Sequence, residues 1–107
     1  MKILLDENLP KKLKADFGPE FKVKTVHDMN WLGKKNGELL GLIAFDRFDI
    51  FIIVDRNLRN QQNLDKFDIS IFLLVAFNNR RDTLQALIEK AKLIIKAGDY
   101  GKFTEIS

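Results

Sequence analysis

Three carboxylates stand where the chain changes character. Asp6 follows the apolar run Ile3-Leu4-Leu5, Asp55 follows Phe51-Ile52-Ile53-Val54, and Glu38 opens an amphipathic stretch between them. Carboxylates gathered in one place repel one another, and a bound cation or a shared proton relieves the repulsion. Oxygen-only ligands suit Mg²⁺ or Mn²⁺, and such an ion can activate water and stabilise charge during phosphodiester cleavage. Asn8 and Asn57 are placed to supply neutral oxygens or to orient a phosphate. The same residue types have a plainer use. Asp and Asn after a strand cap the next helix, and a Glu in the first turn of a helix is stabilised by the helix dipole.

Other chemistries find less material. The chain has no cysteine, which removes disulfides, thiolate zinc sites and a cysteine nucleophile, and fits the cytosol. Its single histidine, His27, cannot build a multi-histidine metal site and reads as a surface or strand-end residue. Neither glycine-rich phosphate-binding motif is present, and Ser70 and Ser107 lack triad partners. The first apolar run is too short for a signal peptide, and Ile69–Phe77 is too short to span a bilayer. A net charge of +3 and a pI near 9.2 permit a polyanionic partner without demanding one. The basic pairs Lys11-Lys12, Lys34-Lys35 and Arg80-Arg81, with Arg56 and Arg59, suit a solvated face or a nucleic-acid path.

The elements that would position the carboxylates can be read from hydrophobic period. Met1–Leu5 is an apolar strand. A helix runs from Pro10, which suits a first turn, to Phe17, with Leu9, Leu13 and Phe17 on one side, and Gly18-Pro19 ends it. Phe21–Val26 alternates as a half-exposed strand near a sheet edge. His27–Lys35 is a loop or short helical turn, after which Asn36 caps a helix over Glu38–Phe48. Asp49–Val54 is a continuous apolar strand, covered on both faces. Leu58–Lys66 holds one or two helical turns, and Ile69–Val75 is another buried strand. A helix from Asp82 or Thr83 carries the stripe Leu84, Leu87, Ile88, Ala91, Ile94, Ile95, and Gly98 closes it. Lys102–Ile106 is a short edge strand. Strands alternating with helices predict an α/β fold: a single three-layer domain over residues 1–107 with a mostly parallel sheet of four or five strands and right-handed crossovers. In such a sheet Asp6, Glu38 and Asp55 would all face one edge, the edge where open α/β proteins build their sites.

The segments Leu4–Pro10 (LLDENLP), His27–Leu40 (HDMNWLGKKNGELL), Phe48–Leu58 (FDIFIIVDRNL) and Gln61–Leu64 (QQNL) together resemble the short stand-alone PIN-like domains of prokaryotes. They fall within residues 4–64, a span of more than half of the chain, in order and with compatible spacing. The resemblance implies a PIN-like fold and a metal-dependent ribonuclease, often the toxin of a toxin–antitoxin pair. It implies Asp6, Glu38 and Asp55 as catalytic and metal-holding acids. The chain departs from the pattern at Asn57, where many PIN domains carry a further acid, and at Arg59, where short members often have proline.

On that reading Mg²⁺ or Mn²⁺ is the cofactor and RNA the substrate. Asn8, Asn57 and Gln61 support the phosphate or the third-strand loop, and Lys35, Arg56, Arg59 and Arg80 contact the nucleic-acid backbone. Met29, Trp31 and Phe45 are candidates for a partner surface, an antitoxin groove or a homodimer contact, with core packing the competing role for at least two of them. Two other functions compete. Asn57 in place of an acid suits a catalytically silent binding module. The acids after strands one and three suit a receiver-like phosphoacceptor, although no lysine follows the later strands as that chemistry needs.

Overall fold

A computed structural model describes residues 1–54 and 67–107. Five strands form one all-parallel sheet: β1 (Lys2–Leu5), β2 (Lys22–Thr25), β3 (Ile50–Ile53), β4 (Ser70–Leu74) and β5 (Phe103–Ile106), in the spatial order β2-β1-β3-β4-β5. Three helices flank it: α1 (Leu13–Phe17), α2 (Asn36–Phe45) and α3 (Arg81–Ala97). The expected α/β class, parallel sheet and three layers are all present.

Side-chain alternation on the strands divides the apolar residues between two cores. Ile3, Leu5, Ile50, Ile52, Phe72, Leu74 and Ile106 face α1 and α3, meeting Leu9, Leu13, Phe17, Leu84, Leu87, Ile88, Ala91 and Ile95. Leu4, Phe51, Ile53, Ile71 and Leu73 face the other way, against Leu39, Leu40 and Ile43 of α2 and against Val26, Phe48 and Ile69. The register Ile3↔Ile50↔Ser70 and Leu5↔Ile52↔Phe72 keeps each set on its own side. All four residues of β3 are buried, as expected for a central strand, whereas β2 at one edge is partly exposed. Met29 and Trp31 pack on the second core, Trp31 edge-on to Phe48 at 6.1 Å, and Phe45 is 87% exposed.

Several boundaries differ from the sequence reading. The chain after β1 makes turns through Pro10–Lys12, with the Leu13 N–H bonding the Pro10 carbonyl at 3.1 Å, so α1 is a five-residue helix. Lys35, not Asn36, is the N-cap of α2, and no side chain caps it. That helix stops at Phe45 because Arg47 takes a left-handed φ of 61°, turning Phe48 back into the core. Phe21 lies outside β2, and α3 begins at Arg81. Gly98 closes α3 at φ 73°, its N–H shared by the Ile94 and Ile95 carbonyls, as a left-handed cap does.

One topological expectation is not met. The step from β1 to β2 and the step from β4 to β5 run in opposite directions across the sheet, yet α1 and α3 lie on the same face. Two parallel crossovers of opposite direction on one face have opposite hands, so one of the two is left-handed, against the usual preference. A polar clamp holds this arrangement. Arg81 grips the Asp16 carboxylate through Nε (3.2 Å) and Nη2 (2.9 Å), Gln85 donates to it at 2.9 Å, and Lys92 Nζ reaches the Asp16 carbonyl at 3.1 Å. The Asp16 side chain is only 5% exposed. The start of α3 is thereby drawn over α1 and toward the tip of β1. No helix among the described residues is long and apolar enough to cross a membrane.

Candidate functional site at the carboxyl edge

β1 lies between β2 and β3, and the chain leaves β1 on one face of the sheet while α2 returns to β3 on the other. Such divergence opens a crevice at the carboxyl ends of the strands. Asp6 stands there. Its N–H extends the ladder to the Ile52 carbonyl at 3.0 Å, and its own carbonyl accepts the Leu9 N–H at 3.1 Å, so the backbone turns tightly beneath the carboxylate. Burial pushes the Asp6 carboxyl above its usual range. Hydrogen bonds from the Glu7 and Asn8 backbone and from Asn8 Nδ2 (3.3 Å) work against that rise, and the charge of Glu7 adds to it.

A cleft of about 300 Å³ opens beside Asp6, lined also by Glu7, Leu9, Lys11, Thr25, His27 and Leu32. Its far wall is the loop after β2, which is pinned rather than loose. Thr25 N–H donates to Asp28 Oδ2 and Asp28 N–H to Thr25 Oγ1, both at 2.9 Å, while Lys14 Nζ bonds Asp28 Oδ2 at 2.7 Å. Those contacts, the Lys14 bond foremost, hold the Asp28 carboxyl down at about 2. Trp31 N–H closes the loop on the Val26 carbonyl at 3.0 Å, and left-handed Asn30 and Gly33 (φ 59° and 82°) let it double back.

The other expected site residues are distributed around this edge. Glu38 is in the first turn of α2, where its side chain is 58% exposed and paired with Lys34 Nζ at 3.2 Å. It is not among the residues lining the Asp6 cleft. Lys35 is exposed at the N-cap of the same helix. Arg80 is exposed at the N-cap of α3, pairing with Asp82 at 3.3 Å. Asn79 Nδ2 donates to the Asn8 carbonyl at 3.4 Å, which ties the loop before α3 to the β1 tip. Asn8 therefore touches both Asp6 and this loop. Asp55, Arg56, Asn57, Arg59 and Gln61 lie outside the described residues. Among the described residues no three acidic or histidine side chains converge as a metal cage.

His27, Lys11, Glu7 and Thr25 reach the cleft without having been selected from the sequence. The signal for His27 was its position directly after β2, because parallel neighbours bring their ends to one edge. A larger cavity, about 360 Å³, lies at the opposite edge among Asp49, Asp68, Ser70, Tyr100 and Lys102. Its charged groups are engaged in holding strands together: Asp49 Oδ2 accepts the Lys2 N–H at 2.8 Å, and Lys102 Nζ bonds the Phe67 carbonyl at 2.7 Å. The Asp6 cleft, with a carboxyl raised above its usual range by burial, is the better candidate. Comparison of the chain with protein-family models, curated proteins and solved structures finds no match to any of them.

Proposed function

We propose that the chain is a metal-dependent ribonuclease of the PIN-like type, acting as the toxin half of a toxin–antitoxin pair. The observation that carries the reading is Asp6: a carboxylate raised by burial at the crevice of a parallel sheet, with Asn8 as its side-chain partner among the described residues. A desolvated carboxylate with a raised pKa in a cleft is the kind of group that active sites maintain at a cost to the fold. The donor chemistry fits a hard cation. Asp6 and Glu38 offer carboxylate oxygens, and β3 ends two residues before Asp55 in the sequence.

Asp6, Glu38 and Asp55 would hold Mg²⁺ or Mn²⁺, which supplies activation of water and neutralisation of phosphate charge. Glu38 must exchange its Lys34 partner to take part, and Lys34 would then be free for a phosphate. Asn8 orients the Asp6 carboxylate through its Nδ2. Lys35 and Arg80, with Arg56 and Arg59, contact the RNA backbone, and Asn57 and Gln61 support the phosphate. A second reading, a silent binding module with the same fold, is favoured by the Lys34–Glu38 pair, which already satisfies one of the acids.

The test is a titration of Mg²⁺ and Mn²⁺ into wild type, Asp6→Asn and Asp55→Asn, read by amide NMR and calorimetry, followed by cleavage of RNA. Binding and cleavage by wild type, lost in both variants with the fold retained, is the expected result. A wild type that binds neither ion at several millimolar refutes the nuclease and leaves the silent module.

A further inference from the structure

Helix α2 is apolar on the side that faces water as well as on the side that covers the sheet. Leu39, Leu40 and Ile43 are buried in the second core. On the outer side Phe45 is 87% exposed, and Gly41 and Leu42 beside it are half-buried. No charged residue follows Glu38 within the helix. A helix that is apolar all round is one that is covered all round. Gly41 points the same way. Glycine is unfavourable in a helix interior and is used where a backbone must turn sharply or another group must come close. Gly41 does not take a left-handed φ, and a methyl group placed on it would meet nothing within 4 Å beyond the helix's own backbone. Among the described residues nothing uses that gap. Positions 41 and 45 lie one turn apart on one face, so the gap adjoins the exposed ring.

The charges at the two ends of α2 fit a second, antiparallel α2. Lys34 and Lys35 stand at its amino end, the positive end of the helix dipole, and the last turn has no basic residue, with Asp46 as the C-cap. Both arrangements oppose the helix's own dipole. Lys34 is engaged by Glu38 at 3.2 Å and Asp46 by Lys2 at 2.9 Å, which leaves Lys35 exposed. An antiparallel neighbour sets Lys35 of each copy beside Asp46 and the terminal carbonyls of the other. With a two-fold axis at Gly41, each residue faces one equally far along the partner helix, so the Phe45 ring of one copy lies over Gly37 of the other. One patch then serves both copies, as a two-fold contact requires. We infer that the outer face of α2 is the contact of a homodimer in which two α2 helices pack antiparallel across Gly41. A ten-residue helix buries less than a standard interface, so this dimer is weak and concentration-dependent. It is independent of the Asp6 cleft and of the nuclease reading.

Analytical ultracentrifugation of wild type from micromolar to millimolar protein should show a reversible monomer–dimer equilibrium. Phe45→Ala should weaken it by about 30-fold, the loss of one central aromatic anchor, and Gly41→Leu should abolish it by filling the gap. Circular dichroism and thermal unfolding of dilute protein should show both variants folded as wild type, because neither side chain enters a core. The absence of native cysteine allows a second measurement. Gly41→Cys places one thiol on the two-fold axis, within disulfide reach of its own copy. It should oxidise to a covalent dimer faster than Leu93→Cys, a control on α3 where Leu93 is 69% exposed. Equal cross-linking of the two cysteine variants, dimerisation of Phe45→Ala with wild-type affinity, or a dimer that survives Gly41→Leu would each overturn the inference. A wild type that stays monomeric at millimolar concentration also overturns it, and leaves the face to a different protein.

Discussion

Replacing Asp28 by Asn tests how the wall of the cleft is held. The Asp28 carboxylate accepts from Lys14 Nζ at 2.7 Å and from the Thr25 N–H at 2.9 Å, and these contacts lower its pKa from 3.8 to about 2. A gap of that size corresponds to roughly 2.5 kcal/mol if water screened nothing. The Asp28 and Lys14 side chains are 34% and 38% exposed, so screening reduces the expected contribution to about 1 kcal/mol. The sign follows from linkage. A carboxyl whose folded pKa is depressed stabilises fully above its unfolded value and loses that stabilisation as pH falls through the folded value.

Asp28→Asn keeps the shape and one oxygen for the Thr25 N–H but removes the charge. Urea unfolding should therefore show the variant about 1 kcal/mol less stable at pH 7 with the same slope. The gap should close between about pH 4 and pH 2 as the wild type loses its advantage. Amide exchange at Met29 and Trp31, whose N–H groups close the same loop, should quicken in the variant at pH 7. A gap that persists unchanged at the acid end would show that geometry rather than charge is lost. No gap at pH 7 would show that the Lys14 pair is fully screened and that the loop is held by backbone contacts alone.

Two further perturbations separate function from scaffold. Burial raises the Asp6 carboxyl, so its ionisation opposes folding as pH rises through the folded pKa. Asp6→Asn should stabilise the metal-free protein at neutral pH by about 0.5–1 kcal/mol in thermal unfolding, and added Mg²⁺ should raise the melting temperature of wild type alone; a variant less stable than wild type would mean that the charged form is structural. Asp16→Ala should lower stability modestly, because the exposed Arg81 and Gln85 donors lose the carboxylate that joins α3 to α1 but can turn to water. Protection of α1 amides should fall first, since five residues cannot sustain a helix unaided; uniform loss of protection would place the clamp's role elsewhere.

Hydrophobic period alone determined that this chain would form an α/β layer structure. The unbroken runs Phe51–Val54 and Ile69–Val75 demand burial on both faces, the lysine alternation of Phe21–Val26 demands an edge, and the α3 stripe demands a sheet to cover. The same logic put Asp6 at a strand end, because an apolar run that stops at Asp-Glu-Asn must leave the core there. Local propensity misjudged the short turns: the turn from Asp6 to Leu9 delays α1 to Leu13, α2 begins one residue earlier than a cap at Asn36 would allow, and the left-handed Arg47 ends α2 at Phe45. Tertiary structure alone decided which polar residues share the edge. His27 lines the Asp6 cleft because parallel pairing aligns the ends of β1 and β2, whereas Glu38 turns to Lys34. It also decided the hand of a crossover, where α3 shares a face with α1 and Arg81 meets Asp16 across 65 residues of sequence. Local sequence fixes which face of an element is apolar; which elements share a face depends on contacts between residues far apart in the chain.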